Sequence, residues 1–373
     1  MADYKYADSV VSLGNTARIA GVMKRALNNE QINIGFLGGS ITMGSGASSP
    51  KKCYAWQVYR WWVEKFSNKN VYYINAGIGA TTSEFGVARA ESDLLRYRPD
   101  FVIAEFSVND ENNEHYMETY EGMIRKVLLS PTFPAAMIVN NLYYDNGKNA
   151  QKIHNEVGEA YGLPMISVRD YVYPHIKNGM LNANDLTSDM LHPNDKGHKL
   201  VADIIIEALE RIYDIVTSGK ADRCSAIPRQ TLTANRYFKS ERWQNYNCKP
   251  YCNGFVDDKA PQANIRDVFK NGWMAKKTGD SIKFEFECAT MSIQFRKTIK
   301  KPSGIAMAVL DDNEKNAVRL DGNFDETWGD FICLKNIYCG NDNGKHTLEI
   351  KLIEADENWE MPFYLVSVIT SRV

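Results

Sequence analysis

The sequence predicts an α/β domain built on a parallel sheet, followed by an all-β domain of sandwich or jelly-roll type. Three observations carry that prediction. From Ile32 to about Ile215, short apolar runs alternate with longer stretches of helical period. Around Ser218 to Pro228 this periodicity stops, and small or charged residues take over. Beyond it, runs of period two appear between turn-forming residues, with no long helix among them. The expected boundaries are 1–217 for the first domain, 218–234 for a linker and 235–373 for the β domain.

Strands are expected at 32–37, 71–75, 101–106, 135–140 and 165–168. Each is a near-continuous apolar run, as strands covered on both faces should be. Helical spacing occupies 55–66, 84–97, 116–129 and 150–161, and Pro99, Pro131 and Pro164 punctuate the ends. After His192, the stretch 199–215 sets Leu200, Ile204, Leu209, Ile212 and Ile215 on one stripe, as a closing helix would. In the second domain, Ser281-Ile-Lys-Phe-Glu-Phe-Glu287 and His346-Thr-Leu-Glu-Ile-Lys-Leu352 read as half-buried antiparallel strands. Lys-Thr-Gly-Asp and Asn-Asp-Asn-Gly read as turns between such strands. No internal repeat or low-complexity tract is present.

At 373 residues, 44% hydrophobic and 24% charged, the chain has the composition of an ordinary soluble protein large enough for two cores. With 44 basic and 46 acidic residues, a net charge of -2 and no basic run, it has no attraction for nucleic acid or an anionic membrane. No apolar window is long enough to span a bilayer; even 204–215 is interrupted by Glu207, Glu210 and Arg211. Charges in Met1-Ala-Asp-Tyr-Lys-Tyr-Ala-Asp8 break the apolar stretch that a secretory leader needs. The cysteines, an odd count of 7 without a Cys-x-x-Cys framework, fit free thiols in a reducing cytoplasm. Cys248 and Cys252 lie near each other and read as buried or incidental thiols. The expectation is a cytoplasmic protein without metal or cofactor, and a homo-oligomer is compatible with it.

The segment Asn33-Ile-Gly-Phe-Leu-Gly-Gly-Ser-Ile-Thr42 runs an apolar strand into two glycines and a serine. Glycines open to unusual backbone angles would let the chain turn and expose the Ser40 hydroxyl above the sheet edge. A phosphate-cradling loop and an ordinary tight turn are the competing readings, although no Gly-Lys-Ser/Thr ending follows. A serine nucleophile needs a base, and the base needs an orienting group. His192, one of 6 histidines, stands in Asp189-Met-Leu-His-Pro193 just before the closing helix. Asp189 can reach back to the imidazole, and Pro193, favoured at a first helical position, would fix His192 at the helix entrance. A capping aspartate beside a solvated histidine is the plainer reading. His198 reads as a surface or packing residue, and His115, His154, His175 and His346 lack a carboxylate in comparable sequence context.

An oxyanion needs donors already aimed at it. Asn75-Ala-Gly-Ile-Gly-Ala-Thr-Thr82 follows the second strand and offers the Gly79 N–H; Ser107-Val-Asn-Asp110 follows the third and offers the Asn109 amide. Singly each is a turn residue. Together with Ser40 they put small donor-bearing residues at three successive strand ends, where an open parallel sheet gathers its chemistry.

In order, Gly-Gly-Ser-Ile-Thr, Gly-Ile-Gly-Ala-Thr-Thr, Ser-Val-Asn-Asp and Asp-x-x-His-Pro resemble the four blocks of the SGNH, or GDSL-like, hydrolases across about Ile32 to Ile215. The resemblance implies a flavodoxin-like three-layer α/β/α domain and a triad of Ser40, Asp189 and His192. It also implies an oxyanion hole of Ser40, Gly79 and Asn109. Two departures stand out: Gly-Gly-Ser-Ile replaces Gly-Asp-Ser, and Ser107 replaces the usual glycine, where it would narrow the acyl pocket or donate a further hydrogen bond. With a β-sandwich attached, the chain resembles carbohydrate esterases such as acetyl xylan esterases. The implied function is deacetylation of acetylated xylan-type oligosaccharides. Trp243, Trp273, Trp328 and Trp359 are candidate sugar-stacking faces or packing residues. The alternatives are a lipase or thioesterase of the same family and a catalytically silent sugar-binding protein.

Overall fold

The computed structural model of the protein describes residues 4–220 and 222–373. Residues 1–3, within the expected first domain and the leader reading, and Ala221 of the expected linker lie outside the described residues. The boundary between two compact units falls between Asn235 and Arg236.

The first unit begins β1 (Val10–Ser12), α1 (Ala17–Leu27), β2 (Ile32–Gly38), α2 (Ser40–Met43), α3 (Tyr54–Lys65), β3 (Val71–Gly77) and α4 (Ser83–Asp93). It continues β4 (Phe101–Glu105), α5 (Glu114–Leu128), β5 (Ala135–Asn140), α6 (Gln151–Ala160) and β6 (Met165–Ser167). α7 (Val168–Lys177), α8 (Ala183–Leu186) and α9 (Asp195–Thr217) complete it. The sheet order is β1-β6-β5-β4-β2-β3, with β2 to β6 parallel and β1 antiparallel to β6. Taken alone, the parallel strands wind in the flavodoxin-like order, and the direction of winding reverses between β2 and β4.

Successive strand residues face opposite layers. Ile34, Phe36, Ile103, Met137 and Val139 join Ile19 and Met23 of α1, Val58 and Trp62 of α3, and Ile204 and Ile212 of α9 in one core. α4, α5 and α6 cover the other face. Burying each such side chain contributes about 1.5–3 kcal/mol, which is why the five parallel strands are mainly apolar, with polar residues such as Glu105, Asn140 and Ser167 at their ends. The sequence reading passes over β1, which is only three residues long, and α7, which carries Pro174 in its interior.

Segment 218–234 lies along the first unit. Asp222 accepts from the Thr16 N–H and hydroxyl at 3.1 and 2.9 Å, and Arg125 donates to the Pro228 carbonyl at 2.8 Å. Glu121, buried on α5, accepts from the Leu232 and Thr233 N–H groups, each at 2.7 Å.

The second unit is all-β and antiparallel along its main sheet. Its strands are β7 (Glu241–Trp243), β8 (Tyr251–Asn253), β9 (Val256–Asp257), β10 (Trp273–Ala275) and β11 (Ser281–Lys297). β12 (Ile305–Leu310), β13 (Val318–Asp321), β14 (Phe331–Glu354) and β15 (Phe363–Ser371) follow. The path is β13-β12-β14-β11-β15-β10-β9, with β7 on β15 and β8 on β11. The two expected period-two strands pair with each other, Ile282 opposite Ile350 and Phe284 opposite Leu348. One expected turn is corrected: Asn-Asp-Asn-Gly lies inside β14 as a bulge. Opposite it the register jumps from Cys288↔Gly344 to Thr290↔Cys339, so the chain kinks there without reversing.

Candidate active site

β2 delivers Ser40 to the rim of the sheet, where it is the first residue of α2. Gly38 and Gly39 are required for space, which corrects the expectation that they supply unusual backbone angles. A Cβ on Gly38 would lie 2.2 Å from Thr42 Oγ1 and 2.4 Å from the Glu105 carbonyl oxygen. A Cβ on Gly39 would lie 2.2 Å from Asn109 Oδ1. Positive φ occurs later, at Gly44 (104°), which ends α2, and Gly46 (85°), where a Cβ would meet the Pro193 carbonyl oxygen at 2.3 Å. The serine itself is only 7% exposed.

The histidine turn closes on this serine from the other end of the unit. His192 Nε2 lies 2.8 Å from Ser40 Oγ, and His192 Nδ1 lies 2.6 Å from Asp189 Oδ2. Asp189 Oδ1 accepts from the backbone N–H of His192 at 2.7 Å and of Leu191 at 3.0 Å. Met190, between them, has φ 61°, a left-handed conformation that a non-glycine residue adopts at a cost of about 1–3 kcal/mol. Burial raises the Asp189 carboxyl pKa, but the hydrogen bond to His192 and the two backbone donors outweigh burial and bring it down to about 2. The carboxylate therefore stays ionised beside the imidazole. Pro193 does not open the closing helix as expected. Asn194 caps α9 by accepting from Lys196 and Gly197 N–H, and Pro193 bridges to Thr187 just before it.

Gly79 and Asn109 both lie beside the Ser40 turn. A Cβ on Gly79 would lie 3.9 Å from the Ser40 Cβ. Asn109 packs its amide against Gly39, with Oδ1 buried and without a hydrogen-bond partner. Beside Asn109 opens a hollow of about 140 Å³, lined in part by Asn112, Tyr143, Lys148 and Asn149. Tyr144 N–H donates to the Met190 carbonyl at 2.8 Å, so the loop after β5 is tied to the histidine turn.

Ser107 faces inward. Its hydroxyl accepts from Asn141 N–H at 2.7 Å and donates to Glu105 Oε1 at 3.1 Å, linking the ends of β4 and β5. His198 is a packing residue, as read from the sequence: Nδ1 accepts from Tyr54 N–H at 3.3 Å and Nε2 donates to the Ser45 carbonyl at 3.0 Å. Three other histidines, which have no carboxylate in their local sequence context, meet one from a distant element. His115 meets Glu84 at 2.9 Å, His154 meets Asp110 at 3.1 Å and His346 meets Asp311 at 2.8 Å. Those partners lie 31, 44 and 35 residues away, beyond any local pattern.

Asp110 and Glu105 are residues that sequence reasoning missed. Asp110 accepts from the Ser83 N–H at 2.9 Å at the start of α4, as well as meeting His154, and so anchors the turn that carries Asn109. Glu105 is fully buried beneath α2, and burial pushes its carboxyl up to about 7 despite hydrogen bonds from Ser107. Its only sequence signal is a carboxylate ending an otherwise apolar strand. Among the described residues, no three His, Cys, Asp or Glu side chains converge as a metal site.

The sequence model of the GDSL-like Lipase/Acylhydrolase family matches residues 36–200. A two-domain esterase active on acetylated mannans, solved with mannopentaose, is 47% identical, with a TM-score of 0.94 over 100% of this chain and 99% of that one. The chain belongs to the GDSL-like lipase/acylhydrolase family. A second structure of a two-domain esterase active on acetylated mannans is 46% identical, also at TM-score 0.94, covering 100% of both chains. An acetylxylan esterase of Xylanibacter ruminicola is 25% identical over 250 residues, 56% of this chain. That match spans 48% of the Xylanibacter protein, about half its length. As a GDSL-like family member the chain is an ester hydrolase of SGNH type, with an α/β domain followed by an antiparallel β domain.

Proposed function

We propose that this chain is a serine esterase that removes acetyl groups from an oligosaccharide through an acyl-enzyme. The observation that carries the reading is the unbroken line from Ser40 Oγ through both ring nitrogens of His192 to Asp189. Ser40 Oγ attacks the acetyl carbonyl carbon as its proton passes to His192 Nε2, while Asp189 holds the Nδ1–H. The carbonyl oxygen becomes an oxyanion, met by the N–H groups of Ser40 and Gly79 and the Asn109 amide. Collapse breaks the ester C–O bond, and His192 returns its proton to the departing sugar hydroxyl. Water, deprotonated by His192, then attacks the acetyl-serine and releases acetate and free Ser40. Ester and water alone balance the reaction.

Whole-chain likeness to esterases active on acetylated mannans supports a mannan-type backbone. The xylan-type substrate expected from sequence is the second reading, supported by the partial likeness to an acetylxylan esterase. The hollow beside Asn109 is small and lined by polar groups, which favours a sugar over the apolar groove that a long acyl chain wants. We assign sugar binding to the second unit, where Trp328 is 58% exposed, whereas Trp273 is fully buried in the core. No described helix is long and apolar enough to cross a membrane. The free thiols of Cys224, Cys248, Cys252, Cys288, Cys333 and Cys339 support a reducing compartment such as the cytoplasm.

The test compares kcat/KM on acetylated manno-oligosaccharide, acetylated xylo-oligosaccharide, p-nitrophenyl acetate and a long-chain p-nitrophenyl ester. The manno-oligosaccharide should lead, and preference for the long chain would reject the proposal. A fluorophosphonate should label Ser40 stoichiometrically. An unlabelled serine would favour the silent sugar-binding protein instead.

A further inference from the structure

We propose that Arg89 is a positioning residue that sets the spacing between the nucleophile turn and the Gly79 oxyanion donor. Arg89 stands on α4 and is fully buried. Nη1 donates to the Ala76 carbonyl at 2.7 Å, and Nη2 donates to the Gly38 carbonyl at 3.0 Å. Those carbonyls belong to the ends of β3 and β2, the neighbouring strands that lead into Gly79 and Ser40. One guanidinium therefore spans the roots of both turns. Gly38 O also accepts the Ile78 N–H at 3.1 Å, so the two turns are joined by a second bond.

A buried guanidinium is unfavourable unless paired, and an apolar side chain of similar volume often replaces such a group without loss of stability. Asp93, one turn along α4, lies 3.2 Å from Nη1 and offsets the charge, although burial still lowers the pKa of Arg89. An apolar residue would lack a rigid planar fork able to hold two carbonyls at a fixed separation. That separation matters because the Ser40 and Gly79 N–H groups must meet one oxygen atom, and a misplacement of about 1 Å costs on the order of 10²-fold in rate.

The inference rests on the roles of Ser40 and Gly79 proposed above. The test measures kcat and KM on the acetylated oligosaccharide, per active site titrated with a fluorophosphonate, in the full chain. Arg89→Lys keeps the charge but has a single ammonium in place of the fork. Its kcat should fall about 10- to 100-fold with KM within about twofold, and Arg89→Met should lose at least as much. Asp93→Asn leaves both carbonyl bonds in place, so it should lower Tm while kcat stays within about twofold. Wild-type kcat in either Arg89 variant overturns the proposal. So does a tenfold loss of kcat in Asp93→Asn, because the ion pair would then govern; this arm stands even where both Arg89 variants fail to fold. Turnover surviving in Ser40→Ala would instead overturn the nucleophile assignment, independently of Arg89.

Discussion

Ser40 Oγ meets an imidazole 152 positions away, and that imidazole meets a carboxylate of its own turn. Asp189 is held low by donors within three residues, so its charge is a property of the turn. Its carboxyl titrates at about 2, below the ordinary value of 3.8. The stability it lends is complete above that ordinary value and lost as pH falls through 2. Activity lost on acidification well above pH 3.8 therefore does not come from protonating Asp189. Asp189→Asn should lower kcat about 10⁴-fold by freeing the ring from its tautomer. Asn109→Ala removes a proposed oxyanion donor and should lower kcat about 10²–10³-fold, measured on p-nitrophenyl acetate.

At the scale of elements, the crowding between β2, α2 and the turn after β4 leaves no room for added atoms. Gly39→Ala would drive a methyl into the Asn109 amide; we expect kcat to drop about 10²-fold and stability by about 1–3 kcal/mol, read by kinetics and thermal melting. Glu105, ending β4, carries the opposite sign of linkage to Asp189. Its carboxyl is raised from 4.5 to about 7, so the folded state binds its proton more readily than the unfolded chain. Stability is then lost as pH rises from 4.5 through 7, by on the order of a few kcal/mol. Glu105→Gln should flatten that slope, matching wild type near pH 4 and exceeding it at pH 8 in denaturant melts. Equal slopes would show that the carboxyl is not titrating in this range.

At the scale of the molecule, Ser40, Gly79, Asn109, Asp189 and His192 all belong to the unit that ends at Asn235. Segment 218–234 supplies partners to Thr16, Glu121 and Arg125 of that unit. A chain ending at Asn235 should fold and hydrolyse p-nitrophenyl acetate, whereas one ending at Thr217 leaves the Glu121 carboxylate without two backbone donors. The shorter chain should lose about 2–5 kcal/mol by urea titration. Equal stability of the two would show that the segment is only a connection.

Much of the architecture was legible in the chain because strand faces and helix stripes are local periodicities. All five parallel strands were read from 32–37 to 165–168 within two residues of their ends. The four motif blocks named Ser40, Gly79, Asn109, Asp189 and His192, since glycine-rich turns and an Asp-x-x-His-Pro turn are contiguous signals. Burial and long-range pairing are not contiguous. Glu105 becomes a raised acid only because other elements bury it, and His154 meets Asp110 only because α6 packs beside α5 on the sheet face. The glycines before Ser40 were recognised by type, but the reason for them, a neighbouring amide and carbonyl at contact distance, exists only in three dimensions. Sequence by itself determined which residues stand at the strand ends. The tertiary structure decided which of them touch, because contact depends on how the strands are ordered in the sheet.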